Sequence, residues 1–231
     1  MRANQVELHL IHFPEALAQL ARCVATLSED EITRMQRFYS PVLQQNFALT
    51  RGALRLILAA QLHLPTADLV FAYTEQGKPF LPNQNLQFNL AHSGDYCIIA
   101  LCLNDRIGVD IERCSHPHKA YYDIAKRFFT PAEYRALSHC PLDEGERLFY
   151  HIWTQKEAFL KAIGQGIAFG MDHFEVATHL NQTWVNHIQD PLYAKLNWDS
   201  RAFSQPEGYR LVVTKENPIQ EIHWAPTHFV V

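Results

Sequence analysis

Residues 106–112 read Arg106-Ile107-Gly108-Val109-Asp110-Ile111-Glu112, and their alternation restricts this stretch to a β-strand with two unlike faces. Ile107, Val109 and Ile111 form an apolar face that needs a core behind it. Gly108, Asp110 and Glu112 form the other face, so two carboxylates project side by side from an anchored strand. Hard cations such as Mg²⁺ favour this arrangement, because they take oxygen ligands and keep water or substrate phosphate in their remaining positions. Gly108 adds a bare patch beside the acids where a ligand can come close to the backbone. Two solvated acids on an exposed strand face would show the same pattern.

The segment His151 to Gly164 has helical periodicity. Phe149, Ile152, Phe159 and Ile163 fall on one apolar stripe. Gly164 stands just past the end as a stop signal. Trp153, Glu157 and Lys161 are spaced four apart and share a neighbouring stripe, with Lys156 at its edge. Taken alone, this is an amphipathic surface helix in which Glu157 pairs with Lys161, a pair worth roughly 0.2–0.5 kcal/mol.

Together the two segments resemble the paired signature of the 4′-phosphopantetheinyl transferases. Gly108-Val109-Asp110-Ile111-Glu112 is followed some forty residues later by Trp153-Thr154-Gln155-Lys156-Glu157-Ala158-Phe159-Leu160-Lys161. The length, 231 residues, is similar to that of the larger type, typified by the surfactin-synthetase activating enzyme. Gly77-Lys78-Pro79 matches a short motif of that family. Phe88-Asn89-Leu90-Ala91-His92-Ser93 matches another, with Ala91 where the family usually has Ser. The matched blocks run from about Arg37 to Gly166, in the family's order and spacing.

The resemblance implies an α+β fold: a pseudo-dimer of two similar halves, each a small, mostly antiparallel sheet packed on helices, with the substrate between them. Residues 1–104 would form the N-terminal half, with the coenzyme A phosphate contacts. Residues 105–231 would form the C-terminal half, with the metal site and catalytic helix. The implied activity moves the phosphopantetheine arm of coenzyme A onto a serine of an apo acyl or peptidyl carrier protein, releasing adenosine 3′,5′-bisphosphate. The implied metal is Mg²⁺, with Mn²⁺ possible, held by Asp110, Glu112 and Glu157. Asp110, Glu157 and Lys161 would be catalytic. Glu157 is a metal ligand or the base for the serine proton, and Lys161 would stabilise the leaving phosphate. Coenzyme A would be bound by Arg37, Arg51, Lys78, Pro79, His92, Ser93, Lys156 and Lys161. Ala91 removes one hydroxyl, a bond to charged phosphate worth about 1.5–3 kcal/mol. A metal-dependent phosphodiesterase that hydrolyses pyrophosphates without a carrier would use the same acids, and a non-catalytic binder of coenzyme A or a carrier is the third reading.

Composition narrows the field further. An apolar content of 48% suffices for a real core. A net charge of −4 argues against a general nucleic-acid binder. Five scattered Cys without a CxxC pair read as reduced thiols of a cytoplasmic protein. Cys114, His116 and His118 lie close together, but no second half-site follows to complete a zinc centre. No secretory signal is expected, and the longest apolar run, Tyr96 to Leu103, is far too short to span a bilayer. The chain is expected to act as a monomer, the two halves standing in for two subunits.

Punctuation places the elements. A strand is expected over Val6 to Phe13. Ser28-Glu29-Asp30-Glu31 is a capping box opening a helix through Phe38. Ser40-Pro41 caps a longer helix, Val42 to Leu62, ended by Pro65. Strands are expected at Val70–Tyr73, Gln87–Ala91 and Tyr96–Leu103, with a turn at Asn104-Asp105. Thr130-Pro131-Ala132-Glu133 opens another helix through about Ser138. Further strands are expected at Phe174–Thr178, Tyr193–Asn197, Tyr209–Val213 and Ile222–Trp224. Lys126, Arg127, Phe128 and Phe129 form a basic-aromatic cluster: a docking edge for an acidic carrier, or an ordinary helix approach with buried aromatics.

Overall fold

A computed structural model of the chain describes residues 2, 4–114, 120–141 and 143–226. Strand β1 (Gln5–His12) buries Val6, Leu8 and Ile11. It leads into helices α1 (Phe13–Ala16), α2 (Leu20–Ala25), α3 (Glu29–Gln36) and α4 (Pro41–Leu62). The short strands β2 (Ala72–Tyr73) and β3 (Pro79–Phe80) form a hairpin, followed by β4 (Leu86–Ser93), β5 (Tyr96–Leu103) and β6 (Ile107–Arg113). Helices α5 (Ala120–Phe128), α6 (Pro131–His139) and α7 (Gly145–Ile163) come next. The chain then forms β7 (Glu175–Val176), β8 (Val185–Asn186), α8 (Pro191–Ala194), β9 (Trp198–Phe203), β10 (Tyr209–Glu216) and β11 (Glu221–Trp224).

Two sheets carry the architecture, one ordered β11-β1-β5-β4 and the other β6-β10-β9. All their pairings are antiparallel except β1 with β11, which places the chain's last described strand in the N-terminal sheet. The sheets meet where β4 lies against β6. There Asn89 Oδ1 accepts the Val109 N–H at 2.9 Å, a side chain standing in for a ladder bond. Helix α4 covers the first sheet through Leu49, Leu54 and Leu58 against Ile99 and Leu101. Helix α7 packs Phe149, Ile152, Phe159 and Ile163 into a second cluster with Phe129 and Phe174. A third cluster joins the sheets, with Leu8, Ile98 and Ala100 sharing a core with Ile107, Val109, Ile111 and Val213. Among the described residues no helix is long and apolar enough to cross a membrane.

Both capping boxes form. The Glu31 carboxylate accepts the Ser28 N–H at 3.0 Å, and that of Glu133 accepts the Thr130 N–H at 2.9 Å. Gly164 ends α7 in the left-handed conformation at φ 73°. Other expectations need correction. Tyr193–Asn197 is not a strand: Pro191 opens a helical turn whose Asp190 cap accepts the Leu192 N–H at 2.7 Å, and the strand begins at Trp198. The strand expected at Val70–Tyr73 shrinks to Ala72–Tyr73, and that at Phe174–Thr178 to Glu175–Val176. Helices α1, α2 and α5 were not expected, although Pro14 and Glu15 stand in the first turn of α1, and α5 absorbs Lys126 and Arg127. The pair His116 and His118 lies outside the described residues, and Cys114 is a free, half-buried thiol.

Candidate active site

The face of β6 opposite the shared core meets α7. A Cβ placed on Gly108 would land on the Ala158 carbonyl oxygen and the Ala162 amide, and 2.9 Å from Ala162 Cα. The bare patch at Gly108 is therefore filled by the helix backbone and not by a ligand. Its consequence is that Asp110 and Glu112 stand directly beside the Glu157–Lys161 stripe.

Lys161 Nζ donates to Asp110 Oδ1 at 2.5 Å, so the helix lysine pairs with the strand acid and not with Glu157. Asp110 is 3% exposed, and its Oδ2 is buried without a hydrogen-bond partner. Burial pushes its carboxyl up to about 7; Lys161 opposes the shift, and Glu112 and Glu157 add to it. Glu157 is half-buried, and burial raises its pKa, with Glu112 raising it further against the pull of Lys161. Burial disfavours the charged form of Lys161, but Asp110, Glu157 and Glu112 outweigh it and hold the ammonium above its usual value. Three carboxylates thus share one neighbourhood and feel one another's charge. Among the described residues, however, no three His, Cys, Asp or Glu side chains gather closely enough to form a ready cation cage.

A cavity of about 550 Å³ opens between the two halves. Glu157, Lys161, Gly164 and Gly166 line it from the C-terminal half. Arg51, Lys78, Pro79 and His92 line it from the N-terminal half. Arg51 is held by three partners. Its Nε lies 3.2 Å from Glu31 Oε1, its Nη2 donates to Tyr73 Oη at 3.1 Å, and its guanidinium stacks over Phe71. Its Nη1 is buried and has no hydrogen-bond partner. Burial and then the Lys161 charge lower the pKa of His92, so its imidazole is held toward the neutral form.

Three expected contacts are placed differently. Arg37 is exposed at the end of α3 and does not line the cavity; Arg34, one turn earlier, does. The register was available in the sequence, because Glu31 at the third position of the capping box turns Arg34, three residues on, toward α4. Lys156 is fully buried, and its three donors go to Glu133 at 2.9 Å, Met171 O at 2.7 Å and Phe174 O at 2.8 Å. It fastens the segment after α7 and leaves no proton for a phosphate. Ser93 Oγ donates to Glu112 Oε2 at 3.0 Å and accepts the Arg113 N–H at 3.1 Å, so it orients an acid. Ala91 packs into the core shared by the sheets, where a hydroxyl would not face the cavity. Asn46, Phe47 and Thr50 of α4 also line the cavity, and nothing in their local pattern marked them.

The buried pair leads to a stability prediction. Lys156→Met leaves Glu133 buried and charged with only backbone donors, a loss of about 3–5 kcal/mol. Urea unfolding that matches the parent protein would rule out this role.

Family models cover nearly all of the chain. Residues 14–104 match the model for the 4′-phosphopantetheinyl transferase N-terminal domain, and residues 106–214 match that of the 4′-phosphopantetheinyl transferase superfamily. The 4′-phosphopantetheinyl transferase HetI of Nostoc sp. is 38% identical over 179 residues, 76% of this chain and 75% of that one. A putative 4′-phosphopantetheinyl transferase of Synechocystis sp. is 43% identical over 152 residues, 64% of this chain and 61% of its own. The transferase Sfp of Bacillus subtilis is 30% identical over 201 residues, 85% of each chain. With these likenesses, the two-half fold and the cleft between the halves, the chain belongs to the 4′-phosphopantetheinyl transferase superfamily, enzymes that transfer the phosphopantetheine group to carrier proteins.

Proposed function

We propose that the cleft holds coenzyme A with its phosphates against Arg34, Arg51 and His92, and its pyrophosphate beside Glu157 and Lys161. The observation that carries this reading is the juxtaposition of the Arg51 guanidinium on one wall with Glu157 and Lys161 on the other, Lys161 being held by Asp110. Arg51 suits phosphate oxygens because its fork is fixed by Glu31 and Tyr73 before a ligand arrives.

The carrier serine Oγ attacks the β-phosphorus of coenzyme A, and the bond from that phosphorus to the bridging oxygen breaks. Glu157 lines the cavity and has one of two roles: base for the serine proton, aided by a pKa that burial has raised, or ligand to the metal with the base supplied elsewhere. Lys161 keeps its ammonium charged and neutralises the oxygen of the departing adenosine 3′,5′-bisphosphate. Asp110 holds Lys161 at its post, and Ser93 holds Glu112.

The donor set also fits a hard cation. All three acids offer oxygen, and Asp110 Oδ2 is a buried acceptor with nothing to accept. Asp110, Glu112 and Glu157 would hold Mg²⁺ or Mn²⁺, which when bound neutralises charge on the pyrophosphate oxygens. For the carrier, Lys126 and Arg127 stand exposed on α5, while Phe128 packs edge-on against Trp153, one turn before Glu157. This is a docking edge suited to an acidic partner. Exchanging both residues for Glu should raise KM for an acidic carrier about tenfold and leave that for coenzyme A unchanged. Unaltered carrier kinetics would leave the cluster a packing feature only.

The decisive experiment mixes the protein with apo acyl and peptidyl carriers, coenzyme A and Mg²⁺, and weighs the carriers intact. A gain of one phosphopantetheine on carrier serine is expected. Hydrolysis of coenzyme A with no carrier modified would point instead to a pyrophosphate phosphodiesterase.

A further inference from the structure

Lys78 sits in the turn between β2 and β3, and the turn is tightly built. Thr74 N donates to Lys78 O at 2.9 Å, Gly77 N to Thr74 O at 2.9 Å, and Lys78 N to Thr74 Oγ1 at 3.1 Å. Gly77 holds φ 82°, a conformation that L side chains rarely adopt. The side chain leaves this fixed base and crosses to the other half. Its Nζ donates to Lys161 O at 2.6 Å, to Ala162 O at 3.2 Å and to Ile107 O at 2.9 Å. An ammonium has three protons, and all three are used.

The acceptors matter more than their number. The last carbonyls of a helix have no partner within it, and they carry the negative end of its dipole. In α7 the Leu160 carbonyl is taken by Gly164 N at 2.9 Å and Gln165 N at 3.3 Å. The next two carbonyls, of Lys161 and Ala162, are taken by Lys78. Ile107 is the first residue of the strand that carries Asp110 and Glu112. One N-terminal-half side chain therefore grips both C-terminal-half elements that bear the acids, at the point where they converge. The same carbonyls leave no donor of Lys78 facing the cavity.

We propose that Lys78 is a positioning residue and not a phosphate ligand: it caps the helix bearing Glu157 and Lys161 and locks that helix and β6 to the N-terminal wall of the cleft. Its effect on turnover rests on the transferase reading given above; its effect on the helix end does not. The grip keeps Lys161 opposite Asp110 and the acids in register with Arg51 across the cavity.

Hydrogen exchange read by mass spectrometry tests the cap directly. In Lys78→Met, amides in peptides covering 157–166 should exchange at least tenfold faster, while those of α4 keep their parent rates. Lys78→Arg, which keeps a cation with several donors, should stay within threefold of the parent at the same amides. In the carrier assay, Lys78→Met should lower kcat at least tenfold with KM for coenzyme A within threefold, because the catalytic helix is loosened and no ligand contact is lost. Should Lys78→Met unfold globally, Lys78→Gln, which retains a donor, is read in the same way. Unchanged exchange at 157–166 with a tenfold rise in KM for coenzyme A would overturn the proposal and return Lys78 to the ligand. A parent protein that modifies no carrier would defeat the transferase reading, and the exchange measurement would still decide the cap.

Discussion

Glu112→Ala and Glu157→Ala each lower kcat for carrier modification by a factor on the order of a hundred to a thousand while the fold stands. The physical reason is asymmetric. Neither carboxylate is buried in a structural ion pair: Glu112 meets Ser93, and Glu157 faces the cavity. Removing either leaves no orphaned charge in a core, so thermal unfolding should shift little. On the proposed reading both acids act on the charge that moves during transfer, so the rate should suffer. Asp110 is a different matter, because Asp110→Ala also strips the partner from Lys161 and would blur the two effects. Full activity in either Glu variant would break the assignment of the acid cluster.

Gly108→Ala should be the most damaging single-methyl change in the molecule. The added carbon meets the backbone of Ala158 and Ala162, which cannot rotate away as a side chain would. Strand β6 and helix α7 must separate, at about 3 kcal/mol or more of stability. For a chain of this size that lowers Tm by about 6–12 °C. Separation also moves Asp110 away from Lys161, so activity should fall beyond what the residual folded fraction explains. A Gly108→Ala protein with parental Tm and turnover would show that the strand and helix are not in contact as described.

The two signature segments were legible in the sequence because each has one face in a core. A period of two at 107–112 and a period near 3.6 at 149–163 cannot be satisfied any other way once Ile107, Val109 and Ile111, or Phe149, Ile152 and Phe159, are buried. The capping boxes at Ser28 and Thr130 were legible for a similar reason, since their bonds close within three residues. Helix α8 was misread as strand because Ala194 and Leu196 alternate with Lys195 and Asn197, while the Asp190 cap and Pro191 act on the first turn. Helix α5 went unrecognised because its burial depends on aromatic partners from α7, such as Phe149 beside Tyr121.

Residue types and local periods therefore settled which strand and which helix bear the acids, and the order of the family motifs settled the chemistry they serve. Only the tertiary structure decided where the long side chains end. Lys78, Lys156 and Ser93 each carry a group that phosphate would accept, and each is instead engaged by an acceptor from elsewhere in the chain: the α7 carbonyls, Glu133 with the 171–174 carbonyls, and Glu112. A flexible four-carbon stem has no preferred direction of its own, so the nearest uncompensated acceptor in a half-buried setting decides it. That acceptor comes from packing between distant segments, which no local pattern records.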